Sequence, residues 1–295
     1  MTERPSFKDG VQHVWDSTSL KMASRCPRLY EYRMIHSIVP KESRVDLIFG
    51  SFYATALEHF YKYRAEGLSI EDALVEVVTE TLLSSWGVVF DHESKTRVNL
   101  IRSIVWYIDE FGEESRDAPQ THILSSGKPA VELSFMLEMA PNIVYAGHLD
   151  RVVEYGGGLH WMDQKTTGKP LSQWFADTYT PDIQFTGYTW AGESILGSPF
   201  KGGIMDAAQI AVGFTRFQRF FIQRSTSIIE EWLRDTKEII TRTQQYTIDH
   251  YFPMNREACF NCGYRMLCSL NPRMRDHFIQ TEYVQISNWE PAVPR

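Results

Sequence analysis

Residues 143–167 read IVYAGHLDRVVEYGGGLHWMDQKTT, and the reading of this stretch decides the fold. β-Branched and aromatic residues run up to three consecutive glycines, Gly156, Gly157 and Gly158, and continue beyond them. Glycine takes the positive φ of a tight turn without steric cost, so the segment reads as an antiparallel hairpin. Successive side chains of a strand point to opposite faces. Asp163 and Lys165 therefore share a face, Gln164 turns away from it, and Asp150 approaches from the other strand. Register decides where Asp150 points. A symmetric three-residue loop sets position 150 opposite 164 and aims Asp150 away from Asp163. A loop of even length, or a bulge, brings the two carboxylates to one face.

Two readings of such a trio are open. Carboxylate oxygens hold hard divalent cations, and a lysine beside them can orient the water that attacks a phosphate. An exposed hairpin with an ordinary cross-strand ion pair has the same spacing. The pattern Gly147-His148-Leu149-Asp150, followed a dozen residues later by Asp163-Gln164-Lys165-Thr166, resembles the core motif of the PD-(D/E)XK nuclease superfamily and best matches its RecB-like branch. That resemblance implies an α/β fold with a mixed central β-sheet flanked by helices, the restriction-endonuclease-like core, and metal-dependent hydrolysis of DNA. It implies Asp150, Asp163 and the backbone carbonyl of Gln164 as ligands of Mg²⁺ or Mn²⁺, with Lys165 positioning the attacking water.

Further positions match the same branch. Thr180-Pro181-Asp182 opens a helix in which Gln184 and Tyr188 lie four apart on one face. They resemble the branch's Gln-x-x-x-Tyr motif, whose residues support the active site and the DNA path. Glu132, in the setting Val-Glu-Leu-Ser-Phe, resembles the strand ahead of the first aspartate and is a candidate metal ligand, a solvated strand glutamate being the alternative. One position departs. The branch places a metal-binding histidine four residues after a glycine, commonly with a glutamate four further on, and Gly50 and Glu58 fit while the histidine position is Ala54. The ligand is either naturally absent or has been replaced by alanine. His59 does not substitute for it, because five residues turn a helix by about 500°, leaving it roughly 140° away around the axis; it reads as an exposed histidine.

Only four cysteines occur, and three of them form Cys259-x2-Cys262-x5-Cys268. Clustering of this kind suits metal ligation better than disulfides. Four thiolates hold zinc or an iron–sulfur cluster, and spacing does not separate the two; buried core thiols are a third reading. Cys26 stands near the N-terminus in Cys-Pro-x-x-Tyr, and with the three distal cysteines it resembles the iron–sulfur RecB-type exonucleases of phages, CRISPR systems and AddB. The resemblance implies a 4Fe–4S cluster on Cys26, Cys259, Cys262 and Cys268 that joins both ends of the chain.

The remaining chain sets bounds. With 295 residues, 43% of them hydrophobic, the protein can bury one large core, and a formal charge of −7 argues against coating nucleic acid through bulk charge. No apolar stretch approaches membrane-spanning length, so a soluble cytoplasmic protein is expected, without a membrane partner. Helices are expected from Leu20 to Tyr32, capped by the preceding Ser17, Thr18 and Ser19 and carrying Cys26, from Leu47 to Arg64, from an N-cap at Ser69 to Ser85, from Ser94 to Glu114 and from Ser227 to Tyr246, and strands at 130–138, 207–214 and 217–224. Phe217 and Phe221 read either as core residues or, with neighbouring arginines, as base-stacking residues. The expected organisation is one nuclease domain over 1–295, with a helical insertion at 64–128 and an iron–sulfur subdomain from 20–33 and 247–275. The expected function is that of a DNA exonuclease acting on ends or single strands, in phage or recombination-related processing, impaired at Ala54. The alternative is a non-cleaving DNA-binding or scaffold protein with a vestigial site. A zinc-stabilised module with no nucleic-acid role leaves the hairpin cluster unexplained.

Overall fold

The computed structural model of the chain describes residues 4–41, 45–113 and 118–291. Its described residues divide into two compact units, one formed by 4–41, 134–147 and 226–291 and the other by 45–133 and 148–225.

After a small hairpin of Phe7–Lys8 and Val11–Gln12, the first unit has a short strand, β1 (Val14–Trp15), and helix α1 (Ser17–Arg25). Asp16 caps α1, accepting from the Ser19 backbone N–H at 2.8 Å while the Ser19 hydroxyl reaches back to the Asp16 N–H, a reciprocal capping box. The expected single helix through Tyr32 is broken at Cys26, which is extended (φ −165°, ψ 119°). Pro27 is the cause: its ring disfavours helical backbone at the preceding residue and then starts a new short turn, Pro27–Tyr30. Trp15 and Tyr30 stack with centroids 5.5 Å apart.

In the second unit, helices α2 (Val45–Ala65), α3 (Ile70–Ser84) and α4 (Arg97–Phe111) bury Phe49, Tyr53, Leu57, Phe60, Ile104 and Tyr107 in one cluster. Each such side chain stabilises the fold by roughly 1.5–3 kcal/mol through burial. Ser69 and Thr96 cap α3 and α4 through their hydroxyls; Ser69 is the expected cap, whereas α4 starts three residues beyond its expected Ser94. The expected end of the last helix, Glu114, lies outside the described residues.

Among the described residues, the main sheet is mixed and has seven strands. After β1 come β2 (Gln120–Thr121), β3 (Val131–Ala140), β4 (Ile143–Tyr155), β5 (Gly158–Thr167), β6 (Phe200–Ile210) and β7 (Thr215–Ile222). Within the first unit, the start of β4 pairs parallel with β1; within the second, its end pairs antiparallel with β5. Between parallel β5 and β6 run helices α5 (Gln173–Asp177) and α6 (Ile183–Leu196), the crossover that a parallel pair requires. β6 and β7 are antiparallel. Strand β6 starts at Phe200, not 207. Gly203 is glycine because the Trp161 indole occupies the space its Cβ would fill, 1.9 Å away. Helix α7 (Thr226–Ile248) belongs to the first unit, where Trp232 meets Tyr145 edge-on at 5.4 Å. The fold is thus α/β, with a mixed central sheet flanked by helices.

Candidate active site

Tyr155 pairs with Gly158, so the hairpin loop is the two residues Gly156 and Gly157, with φ of 56° and 72°. Positive φ at both positions is the type I′ turn, whose twist matches that of the strands it joins. Lys201 donates to the Gly156 carbonyl at 2.7 Å and fixes the turn further. An even loop carries the register Arg151↔Met162 onward to place Asp150 opposite Asp163. The two carboxylates therefore lie on one sheet face, with Lys165 two residues along.

Both oxygens of Asp163, a residue 1% exposed, are engaged. Lys165 Nζ pairs with Oδ2, and Gln184 Nε2 donates to Oδ1 at 3.3 Å. The same Gln184 amide donates to the Tyr188 hydroxyl at 2.9 Å, one helical turn on. Asp182 sets this helix in place by capping it, accepting from the N–H groups of Gln184 and Phe185 at 2.8 and 3.0 Å. Asp150 Oδ2 accepts from the Gln164 N–H at 3.2 Å. Burial, then the facing Asp163, push the Asp150 carboxyl well above its usual range, with Lys165 pulling the other way. Burial lowers the Lys165 ammonium, but Asp163 and Asp150 outweigh it and hold the group above its ordinary value. Lys165 is therefore a cation lodged between the aspartates and the Phe185 ring, 5.4 Å from its centroid.

Ala54, Glu58, Glu132, Asp150, Arg151 and Gln164 line one cleft. Ala54 of α2 thus shares this cleft with Glu58, Glu132 and Asp150, though not with Asp163, and Gly50, one turn earlier, lies against Thr166 of β5. Glu132 sits in β3 with φ of 49°, a left-handed backbone that a strand tolerates only at a bulge or a constrained site. Glu58 is where the motif's glutamate was expected, one turn beyond Ala54, whereas Arg151 was not among the expected residues. His59 is not simply exposed, as its Nδ1 lies 2.7 Å from Glu80 of α3.

A second polar group was missed. On the opposite face of β5, the Gln164 amide lies 3.4 Å from Asp206 Oδ2, which also accepts from the Tyr107 hydroxyl, while Arg219 faces Oδ1 at 3.5 Å. Arg219 is thereby committed internally. Phe217 packs against Tyr107 and Phe111, so of the two readings of this strand the core one describes Phe217, whereas Phe221 is exposed and stacked on Tyr155.

All four cysteines are free and fall in the first unit. Cys26 Sγ accepts from the Asn255 N–H at 3.3 Å, and Cys262 and Cys268 pack beside Tyr32, Tyr264 and Leu267. Burial, then Cys262 among its neighbours, push the Cys268 thiol up. The thiols are not drawn into the expected cluster site. Among the described residues, no group of three or more His, Cys, Asp or Glu side chains is arranged to hold a metal ion. In the cleft, the donors that do face one another are hard carboxylate oxygens, the type that suits Mg²⁺ or Mn²⁺, and Ala54 of α2 lines the same cleft. Among the described residues, no helix is long and apolar enough to cross a membrane.

No curated protein matches the chain. Among solved structures it aligns with the crystal structure of SSO0001 at 15% identity and a TM-score of 0.30, over 87% of this chain and 86% of that one. The family model of the PD-(D/E)XK nuclease superfamily matches residues 17–269, and the chain belongs to that superfamily.

Proposed function

We propose that this protein is a metal-dependent deoxyribonuclease whose cleft has lost one ligand at Ala54. The observation that carries the reading is the convergence on Asp163: Asp150 across the hairpin, Lys165 on one carboxylate oxygen and Gln184 on the other. Asp150, Asp163 and the Gln164 carbonyl would hold Mg²⁺ or Mn²⁺. When bound, such an ion polarises a phosphate and acidifies water at neutral pH. Lys165 supplies a fixed cation where negative charge develops on the phosphate and orients the attacking water. Gln184, backed by Tyr188, keeps Asp163 from rotating.

Action on DNA ends or single strands, in phage or recombination-related processing, is supported by the cysteine pattern, which resembles that of iron–sulfur exonucleases. A 4Fe–4S cluster on Cys26, Cys259, Cys262 and Cys268 is supported by the same spacing, by the contact of Cys26 with the loop at Asn255, and by the shared neighbourhood of Cys262 and Cys268.

Ala54 itself favours the second reading, a protein that binds DNA without cutting it. One experiment separates the two. In Ala54→His, a neutral nitrogen is added to the cleft that holds Asp150, so Mn²⁺ should bind more tightly and cleavage of labelled oligonucleotides should rise at least about tenfold. Adding Asp163→Asn should abolish the gain. An Ala54→His protein that binds DNA as before and cuts nothing across Mg²⁺ and Mn²⁺ concentrations would establish the non-cleaving reading.

A further inference from the structure

A second concavity, distinct from the metal cleft, runs along the second unit between the first turns of α2 and the end of β5. One wall carries Leu47, Gly50 and Ser51, the other Lys165, Thr167 and Lys169, around roughly 1160 Å³ of open space. Gly50 keeps its floor low, since a Cβ there would come within 3.2 Å of the Thr166 hydroxyl. The groove does not end blindly. Gln164 lines both it and the metal cleft, and Gly50 and Ala54, one helical turn apart, line one each.

Its charge is local. The chain as a whole is acidic, at −7, yet this wall presents Lys169, while Lys165 on the same wall is paired with Asp163. Lys95 also reaches the groove but is spent on Asp46, 2.6 Å from its Nζ, and its side chain is buried. Lys169 is exposed, and 5.8 Å from its Nζ lies the ring of Trp174, itself 68% exposed. A single surface tryptophan ordinarily needs no explanation. This one stands beside Lys169 of a groove whose wall also holds Lys165, the partner of Asp163, and it lies on a short helix capped by Ser172.

We infer that the groove carries one unpaired nucleic-acid strand to the cleft, with Lys169 at a backbone phosphate and Trp174 as the surface on which a base stacks. The inference rests on the nuclease reading and adds to it a strand path and a substrate class. Stacking on an indole requires a base released from pairing, whereas a duplex would meet the same rim through its phosphates alone. Two opposed walls, a helix and a strand, likewise fit one chain with its bases turned outward.

The test needs no catalysis. Binding of a 5′-fluorescent oligothymidylate of about a dozen nucleotides is followed by anisotropy on the full chain with Ca²⁺, across a salt series. Trp174→Ala should weaken binding about fivefold or more, the low end of one base stack, without changing the salt slope, and Trp174→Phe should restore most of it. Lys169→Ala should make the slope of log K against log salt shallower by about 0.7, the contribution of one single-strand phosphate contact. Lys237→Ala, an exposed lysine on α7, should change neither. A blunt duplex of the same length should bind more weakly and ignore Trp174→Ala. If the parent binds the oligonucleotide and both groove variants bind it equally well, or if the duplex binds as tightly and responds to Trp174→Ala as the single strand does, the inference falls while the nuclease reading stands. A parent chain that binds no DNA in either form overturns the nuclease reading itself.

Discussion

Gln184 and Lys165 divide Asp163 between them, the amide on Oδ1 and the ammonium on Oδ2. The two contacts do different work. Lys165 brings charge, and Gln184 brings orientation, because an amide anchored to Tyr188 at 2.9 Å cannot swing away without losing that bond. Removing an orienting partner of a metal ligand typically costs 10–100-fold in affinity or activity. In the Ala54→His background, Gln184→Ala should therefore lower Mn²⁺-dependent kcat by about that factor while DNA affinity holds. Gln184→Glu should be worse, since it sets a third carboxylate against Asp163. Steady-state kinetics on a labelled oligonucleotide check both; equal activity of parent and Gln184→Ala would remove Gln184 from the site.

At the level of the element, the hairpin turn decides whether a site exists. Gly156 and Gly157 both have positive φ, and Asn-Gly is a preferred type I′ pair. Gly156→Asn should leave the denaturation midpoint within about 0.5 kcal/mol of the parent, whereas Gly156→Val forces a β-branched residue into the left-handed region at a cost of about 1–2 kcal/mol. Chemical denaturation measures both, and Gly156→Val should also weaken metal binding if the register shifts. The strands of this hairpin were legible from residue type and alternation, and so was the shared face of Asp163 and Lys165. The loop length was not, because three glycines leave open which two bend; Gly158 is a strand residue without positive φ, and it is the Lys201 side chain that fills the space of its Cβ. Likewise, the start of β6 at Phe200, ahead of the expected 207, was hidden because the indole that demands Gly203 comes from Trp161, on a neighbouring strand. The group around Asp206 left no local signal at all: it exists because parallel pairing sets Asp206 beside Gln164, 42 residues away in sequence. Long-range register of that kind is invisible to periodicity.

For the whole molecule, the cysteines are the sharpest test. If four thiolates take up a 4Fe–4S cluster, protein purified without oxygen should be brown, with broad absorption near ~400 nm. Cys26→Ser should bleach it and lower Tm, since cluster binding and folding share one free energy. Colourless protein with stoichiometric zinc would replace the cluster by a zinc site.

The first unit is assembled from stretches far apart in the chain, and this imposes an order in time. Arg4 binds Glu290 through two atoms 3.0 Å apart, Trp289 donates to Asp16 at 2.9 Å, and Arg28 donates to the Phe252 carbonyl. On the ribosome, none of these partners exists until more than two hundred further residues have been added, on the order of ten seconds or more at ordinary elongation rates. The second unit, by contrast, has its last residue, Ser225, in hand before α7 is made. The nascent chain thus holds every residue of the candidate nuclease site while Arg4, Asp16, Cys26, Arg28 and Tyr30 still await their C-terminal partners.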